Sequence, residues 1–413
     1  MCPRLNTSGA LASFLVCAAL AAGCQTYDFE PVPPAAISTP RLEKTVAARG
    51  DTPNLMLLVD TSGSMLEPMN PANPSCRSSL GLICLGEGCP ADCPTRWKSL
   101  QGAMDSFLST HGTVARIGLA TYPGSQLVRG TQCGGTESLT LDLLADDDPA
   151  ALRAHAQAVN AELHKIPNDT RTGPTGGTPT SASLLFVGSL PQLQTDERTD
   201  FVLLLTDGVP NCNESNATSG PSTACRCTLS EDPDACSGDF ERLGCLDQDG
   251  SVAAVRALRG KDIQTIVIGF GAETASGPGF EVLNAMAEAG GFARKCQTDA
   301  SCGAGDTCDT ALGLCRRRYY QAGNQDELAA ALQQISERFE GKPCLIELAP
   351  DQFPPSPSLA RVYVDGEGYS AGDDTWQLKQ GVGVELVGSL CKRVESTSPS
   401  HPARIEVRIV IPH

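Results

Sequence analysis

Asp60, Ser62 and Ser64 stand at alternate positions just past an unbroken apolar run, Leu55 to Val59. One carboxylate and two hydroxyls at that spacing offer hard oxygen ligands of the kind that Mg²⁺ and Ca²⁺ prefer. Mg²⁺ also usually keeps positions open for water or a partner's carboxylate. The run itself has no polar alternation, which suits a strand buried on both faces of a parallel sheet. Asp60 would then lie at the carboxyl end of that strand, where open α/β sheets hold their ligands. A second run, Asp200 to Thr206, ends in Asp207 and Gly208. Between the two lies a Gly-rich loop, Thr172 to Thr180, opening onto a predicted helix.

In order, these segments resemble the metal-ion-dependent adhesion site of the von Willebrand factor A domain, also called the integrin I domain. The family pattern is DxSxS, then a Thr in a Gly-rich loop, then an Asp after a hydrophobic strand. It falls on Asp60, Ser62, Ser64, Thr178 and Asp207 without departure. Gln264 to Gly271 and Phe280 to Gly291 are similar to the closing third of bacterial members. The resemblance implies a divalent cation at the five residues, most simply Mg²⁺, with Ca²⁺ or Mn²⁺ as alternatives. It also implies a ligand whose acidic group completes the ion's coordination.

The elements that would position these residues alternate along the chain. Strands are expected at Asn54 to Val59, Ala115 to Tyr122, Phe201 to Thr206 and Ile263 to Phe270. Helical stripes fall between and after them: Trp97, Leu100, Met104, Phe107 and Leu108; then Phe280, Leu283 and Met286 before Gly290; then Leu328, Leu332, Ile335 and Phe339, with Asn324 as N-cap and Glu327 three residues on. The expected fold is α/β, a doubly wound, mostly parallel sheet of von Willebrand A or Rossmann-like type. It would cover residues 53–341, with cysteine-rich inserts at about 66–95, 208–248 and 296–315. From 342 to 413 the texture changes to alternating apolar and polar residues between Pro and Gly turns. Cys344 to Leu348, Ala360 to Gly366, Val382 to Leu386 and Ile405 to Ile411 read as a small antiparallel β domain, with a hairpin turn at Asp365-Gly366.

At 413 residues, 41% hydrophobic and 19% charged, the composition is that of a globular protein of two or three domains. A net charge of −17 excludes nucleic acid as a partner, since nothing neutralises phosphates. Residues 1–23 read as a signal peptide, with Arg4 and the short apolar stretch Ala10 to Leu20, too short to span a membrane. Leu20-Ala-Ala-Gly-Cys24 resembles a bacterial lipobox, with Ala21 where a larger aliphatic residue is usual. That resemblance implies a lipid on Cys24 and, with Gln25 next, an outer-membrane, surface-exposed location; cleavage to a soluble secreted protein is the alternative. Residues 24–52 are polar and Pro-rich and read as a tether.

Of 19 cysteines, Cys2 and Cys17 leave with the signal and Cys24 carries lipid. The remaining Cys76, Cys84, Cys89, Cys93, Cys133, Cys212, Cys225, Cys227, Cys236, Cys245, Cys296, Cys302, Cys308, Cys315, Cys344 and Cys391 are even in number, as disulfides in an oxidising compartment require. Zinc between close pairs such as Cys89 and Cys93 is the rival reading. Cys344 with Cys391 is one expected bridge. The first two inserts leave directly from the metal-site loops, so a stapled binding surface is expected there. Carboxylates in the third (Asp299, Asp306, Asp309) suggest calcium, but their spacing is not that of an EF-hand.

Nothing points to catalysis. The Gly-rich loop lacks a Gly-Lys-Ser/Thr ending, no HExxH occurs, the five histidines form no nucleophile–base pattern, and Ser62 has no base in a matching motif. The expected role is cation-dependent adhesion to an extracellular substrate or an acidic protein ligand. An envelope scaffold binding a partner through the same domain or its inserts is the alternative, and a vestigial site is a third. The lipobox, the stretch from Cys24 to Val32, tether, site and inserts together are similar to outer-membrane lipoprotein adhesins of gliding motility in myxobacteria. That likeness implies gliding-machinery proteins of the outer membrane as partners.

Overall fold

The computed structural model describes residues 42–44, 52–195, 198–230, 232–303, 305–339, 344–348, 352–395 and 403–409. Cys24, the signal peptide and most of the tether lie outside the described residues.

Five strands form one parallel sheet: β2 (Asn54–Asp60), β3 (Arg116–Tyr122), β4 (Asp200–Thr206), β5 (Ile263–Phe270) and β8 (Tyr320–Ala322), in the spatial order β3-β2-β4-β5-β8. All adjacent pairs run parallel. The four sequence-expected strands are present, and β2 and β4 carry the unbroken apolar runs that burial on both faces allows. Leu55, Leu57 and Val59 of β2 pack with helices α1 (Arg96–His111), α2 (Pro149–Lys165) and α7 (Gln325–Phe339). Met56 and Leu58 face the other way, toward α3 (Thr180–Val187), α5 (Gln248–Arg259) and α6 (Gly277–Ala289). A one-residue slip would exchange these two cores, so the register is firmly set. The short helix α4 (Phe240–Leu243) lies within the second insert.

The chain leaves β2 for β3 on one side and returns to β4 on the other. The order therefore reverses between β2 and β4, the position at which doubly wound sheets bind ligands. Asp60 ends β2, and Asp207 follows β4 at the same end. Helix α7 starts as its sequence suggests: Asn324 Oδ1 accepts from Glu327 N at 2.9 Å, and Glu327 Oε2 accepts from Gly323 N at 2.7 Å.

The third insert cuts the last strand in two. Gly291 bridges Thr265 in parallel, and β8 pairs with Ile268–Phe270 farther along the same edge. Between them stands the insert, with its own two short strands, β6 (Cys308–Asp309) and β7 (Leu314–Cys315), and the bridges Cys296–Cys308 and Cys302–Cys315. Its carboxylates do not gather around a calcium site: Asp306 pairs with Arg294 at 3.0 Å, while Asp299 and Asp309 accept from backbone amides.

All sixteen cysteines of the sequence reading are paired. The first insert holds Cys76–Cys93 and Cys84–Cys89, the second Cys225–Cys245 and Cys227–Cys236. Cys133–Cys212 ties the loop after β3 to the second insert, and Cys344–Cys391 is the bridge expected in the C-terminal unit. Where three sulfurs crowd together, at Cys84, Cys89 and Cys93 and at Cys296, Cys302 and Cys315, they belong to neighbouring disulfides, so zinc has no thiolates to bind.

The C-terminal unit is two antiparallel sheets around a separate apolar core. One contains β10 (Ala360–Val364), β11 (Glu367–Tyr369) and β14 (Ile405–Ile409); the other β9 (Leu345–Glu347), β12 (Trp376–Lys379) and β13 (Gly383–Leu386). Helix α8 (Gly388–Glu395) adds Leu390 and Val394 to that core. Asp365 and Gly366 turn the β10–β11 hairpin with φ of 52° and 83°, which asks for Gly or Asp. The tether reading needs correction here. Leu42–Lys44 forms strand β1, antiparallel to β14, because β14 offers an open edge that three tether residues can fill. Among the described residues no helix is long and apolar enough to cross a membrane.

Candidate metal centre

The site assembles at the strand-order reversal. Asp60 is fully buried. Its Oδ1 accepts from Ser62 N at 2.9 Å, which folds the Asp-Thr-Ser turn back over the strand end. Its Oδ2 accepts from Thr206 Oγ1 at 2.8 Å and from the Tyr122 hydroxyl at 3.4 Å. Ser62 Oγ lies 3.0 Å from Ser64 Oγ, and Ser64 Oγ donates to Asp207 Oδ1 at 3.1 Å. Ser62, Ser64 and Asp207 are thus joined oxygen to oxygen, and Asp60 is tied to them through the Ser62 backbone amide.

Thr178 comes to the same face through its loop. Thr175 N donates to Thr61 O at 2.8 Å, and Gly63 N donates to Gly176 O at 3.0 Å, so the Gly-rich loop lies directly on the DxSxS turn. Gly176 has φ of 87°, and a Cβ there would stand 2.6 Å from Gln132 O; only glycine permits the approach. Asn211 then fixes Thr178 from both sides. Its Oδ1 accepts from Thr178 N at 2.7 Å, and its own N donates to Thr178 O at 3.0 Å. Asn211 Nδ2 in turn donates to Thr228 Oγ1 at 2.9 Å, and Thr228 Oγ1 to Gly244 O at 2.8 Å, both within the second insert. The insert therefore positions a site loop through hydrogen bonds.

Sequence reasoning missed four participants: Arg96, Tyr122, Thr206 and Asn211. Thr206 carried a signal, a hydroxyl directly before the strand-terminal acid. Arg96 carried none. It sits at the start of α1, fully buried, with Nη1 2.9 Å from Asp207 Oδ2. Its Nη2 reaches Glu273 at 3.0 Å and Glu67 at 3.3 Å.

The electrostatics follow from burial. Removal from water raises the Asp60 carboxyl to about 7, and the Asp207 charge adds to the rise; hydrogen bonds from Ser62 and Thr206 oppose it. Asp207 is raised as well, chiefly by burial, with Arg96 pulling it down. Burial also works against the Arg96 charge, but Asp207 and Glu273 outweigh it and hold the guanidinium above its ordinary value. Tyr122 is raised well above the usual phenol range, first by burial and then by Asp60, so it stays a neutral donor. Two buried carboxylates disfavour each other's charge, and a cation among them relieves that.

The donor set can be tested against an ion. Neighbouring oxygens around octahedral Mg²⁺, each about 2.0–2.1 Å from the metal, stand about 2.9 Å apart; around Ca²⁺, at about 2.3–2.6 Å, they spread to about 3.3–3.7 Å. The observed 3.0 and 3.1 Å contacts are hydrogen bonds between the site's own oxygens, so they gather hard donors without choosing between the two ions. Ser62, Ser64 and Asp207 bring hard oxygen donors together, the kind that a divalent cation prefers. Asp60 adds a buried carboxylate beside them, and the Gly-rich loop that carries Thr178 lies on the same turn. His155 contacts Asp142 O and His164 contacts Asp105, both on the exposed side of α2.

No protein-family model and no curated protein matches the sequence. Solved structures show distant likenesses. The pilus adhesin SpaC of Lactobacillus rhamnosus GG, in an open conformation, is 14% identical over 88% of this chain and 40% of its own, with a TM-score of 0.39. The PilB minor pilin of Streptococcus sanguinis is 16% identical over 70% of this chain and 62% of its own, TM-score 0.39. The manganese-loaded TRAP protein of Plasmodium vivax is 16% identical over 72% and 76%, TM-score 0.36. This chain spans about two fifths of the pilus adhesin and three fifths of the pilin. At such scores the functional reading rests on the site's own geometry.

Proposed function

We propose that this protein is a cation-dependent adhesion protein, whose metal centre captures an acidic group on an external substrate or protein ligand. The observation that carries the reading is the convergence of the buried acids Asp60 and Asp207 with the Ser62 and Ser64 hydroxyls at the strand-order reversal. Ser62, Ser64 and Thr178 would hold the ion through hydroxyls, with Asp60 and Asp207 supplying negative charge directly or through water. When bound, the ion supplies a Lewis-acidic position for a carboxylate. Mg²⁺ is the simplest choice, with Mn²⁺ or Ca²⁺ as alternatives. The proposed role is binding, the sequence carrying no motif of a catalytic nucleophile and its base.

Lipidation of Cys24 would anchor the protein in the outer membrane, facing outward, where many weak contacts gain strength through effective concentration. With the gliding-motility likeness, this makes the partners gliding-machinery proteins of the outer membrane on one side and an external surface on the other. Adhesion of cells should fail in EDTA, return with Mg²⁺ and be absent in an Asp60→Ala strain. Attachment that survives both treatments would sink the reading.

One observation supports the scaffold alternative. Leu80, Leu82 and Leu85 of the first insert are 84%, 67% and 46% exposed, unusual for aliphatic residues on a stapled loop. Scaffolding through that insert would persist in EDTA and fail on disulfide reduction.

A further inference from the structure

Arg96 is the only arginine or lysine side chain among the described residues that is fully buried, and it touches the candidate centre. Its Nε has no hydrogen-bond partner among the described residues. A buried donor left unmade is unfavourable, and an apolar residue of similar volume commonly replaces a buried ion pair without loss of stability. Packing therefore does not explain the arginine. The fold nevertheless makes room for it: Gly271, with φ of 89°, lies where a Cβ would come 3.0 Å from Arg96 Nε. The guanidinium holds Asp207 Oδ2 at 2.9 Å while Ser64 Oγ holds Oδ1, so only one carboxylate oxygen is turned toward the serine hydroxyls.

Resting on the reading that this centre binds a divalent ion and an acidic ligand, we propose that Arg96 sets the charge of the centre. It trades affinity for the ion against affinity for the ligand's carboxylate. Two carboxylates alone would neutralise a divalent ion. With Arg96 offsetting one of them, the loaded centre keeps a net positive charge that an incoming carboxylate can meet. Glu67 and Glu273, on the other side of Arg96, are 34% and 51% exposed, so solvent screens them and they temper the guanidinium without cancelling it. Arg96 is a positioning residue in this scheme: it acts on the ion through Asp207.

The test measures two affinities in the purified chain, for Mn²⁺ by calorimetry and for immobilised poly-L-glutamate at saturating Mn²⁺. Arg96→Gln should tighten Mn²⁺ by about tenfold and weaken poly-glutamate by about tenfold, because one buried positive charge is removed. A merely structural role would weaken both. Should Arg96→Gln fail to fold, Glu273→Gln decides. That half-exposed change leaves the guanidinium bearing more fully on Asp207, and Mn²⁺ should weaken several-fold; unchanged or tighter Mn²⁺ overturns the proposal. Lack of Mn²⁺ binding by the unmodified chain sinks the metal reading and this proposal together. Mn²⁺ binding that Arg96→Gln leaves unchanged or weakens, in a folded protein, overturns the role of Arg96 alone.

Discussion

Asp60 and Asp207, at the mouth of the parallel sheet, are fully buried and raised by burial. Glu367, Asp374 and Glu406, in the C-terminal unit, are lowered: Glu367 by Tyr369 and Arg393, Asp374 by Ser389 and Glu406 by Arg408. The C-terminal core itself is apolar. One region thus places acids where burial disfavours their charge; the other leaves them nearer solvent, where hydrogen bonds favour it. Buried, mutually repelling acids are the mark of a site. Exposed, satisfied acids are the mark of a scaffold.

Disulfides give the largest expected effects with which to probe that contrast. Cys133–Cys212 closes a separation of 79 residues and Cys344–Cys391 one of 47, so replacing either pair by serine should destabilise by on the order of 4 kcal/mol. Only the first borders the site: a Cβ on Gly177, next to Thr178, would lie 2.4 Å from Cys212 Sγ. Calorimetric titration should therefore show weaker Mn²⁺ binding in the Cys133/Cys212 variant and unchanged binding in the Cys344/Cys391 variant. Equal effects on Mn²⁺ would erase the distinction.

pH should separate the regions next. The folded pKa of Asp60, about 7, is above its ordinary 3.8, so the folded state holds that proton more tightly. Its contribution is fully present below pH 4 and is lost as pH rises through 7, on the order of 4 kcal/mol in all. In EDTA the α/β domain should lose stability across that window, and Mg²⁺ should restore it most at the upper end. Asp60→Asn should be more stable than the unmodified chain at pH 7 in EDTA and indifferent to Mg²⁺. The lowered acids of the C-terminal unit have the opposite sign: their contribution is present above pH 4.5 and fades on acidification. Melting curves that move in the same direction for both regions would contradict this.

Asn211→Ala removes the clamp on Thr178 without touching the acids. It should weaken Mn²⁺ by about 10–100-fold, the usual effect of losing a supporting partner of a metal ligand. Smallest of all, Arg393→Ala deletes the exposed pairs to Glu367 and Asp365. Its melting midpoint should shift by less than about 2 °C, with no change in Mn²⁺ affinity.

What the sequence revealed and what it hid divide along a physical line. β2 and β4 were legible because two-sided burial writes a continuous apolar run, and Asp60 and Asp207 because they end those runs. The cysteine clusters were legible as clusters, but their pairing depends on where loops meet in space, as Cys133 and Cys212 do. Arg96 was invisible: its partner Asp207 is 111 residues away, and nothing at the start of an amphipathic helix announces a buried charge. Strands β11 and β12 and helix α8 were missed because each is short and takes its shape from the core it covers. Strand β1 was missed because its order comes from β14.

The two outer strands of the parallel sheet share a property with consequences for a crowded surface. The free side of β3 is covered by backbone hydrogen bonds between Leu119 and residues 140 and 141, and β8, at the opposite side, is three residues long and stands next to a disulfide module. A sheet whose borders are covered or cut short presents little template for another chain to extend. Were copies held close together, as the proposed anchor would hold them, this sheet would offer little for them to grow along.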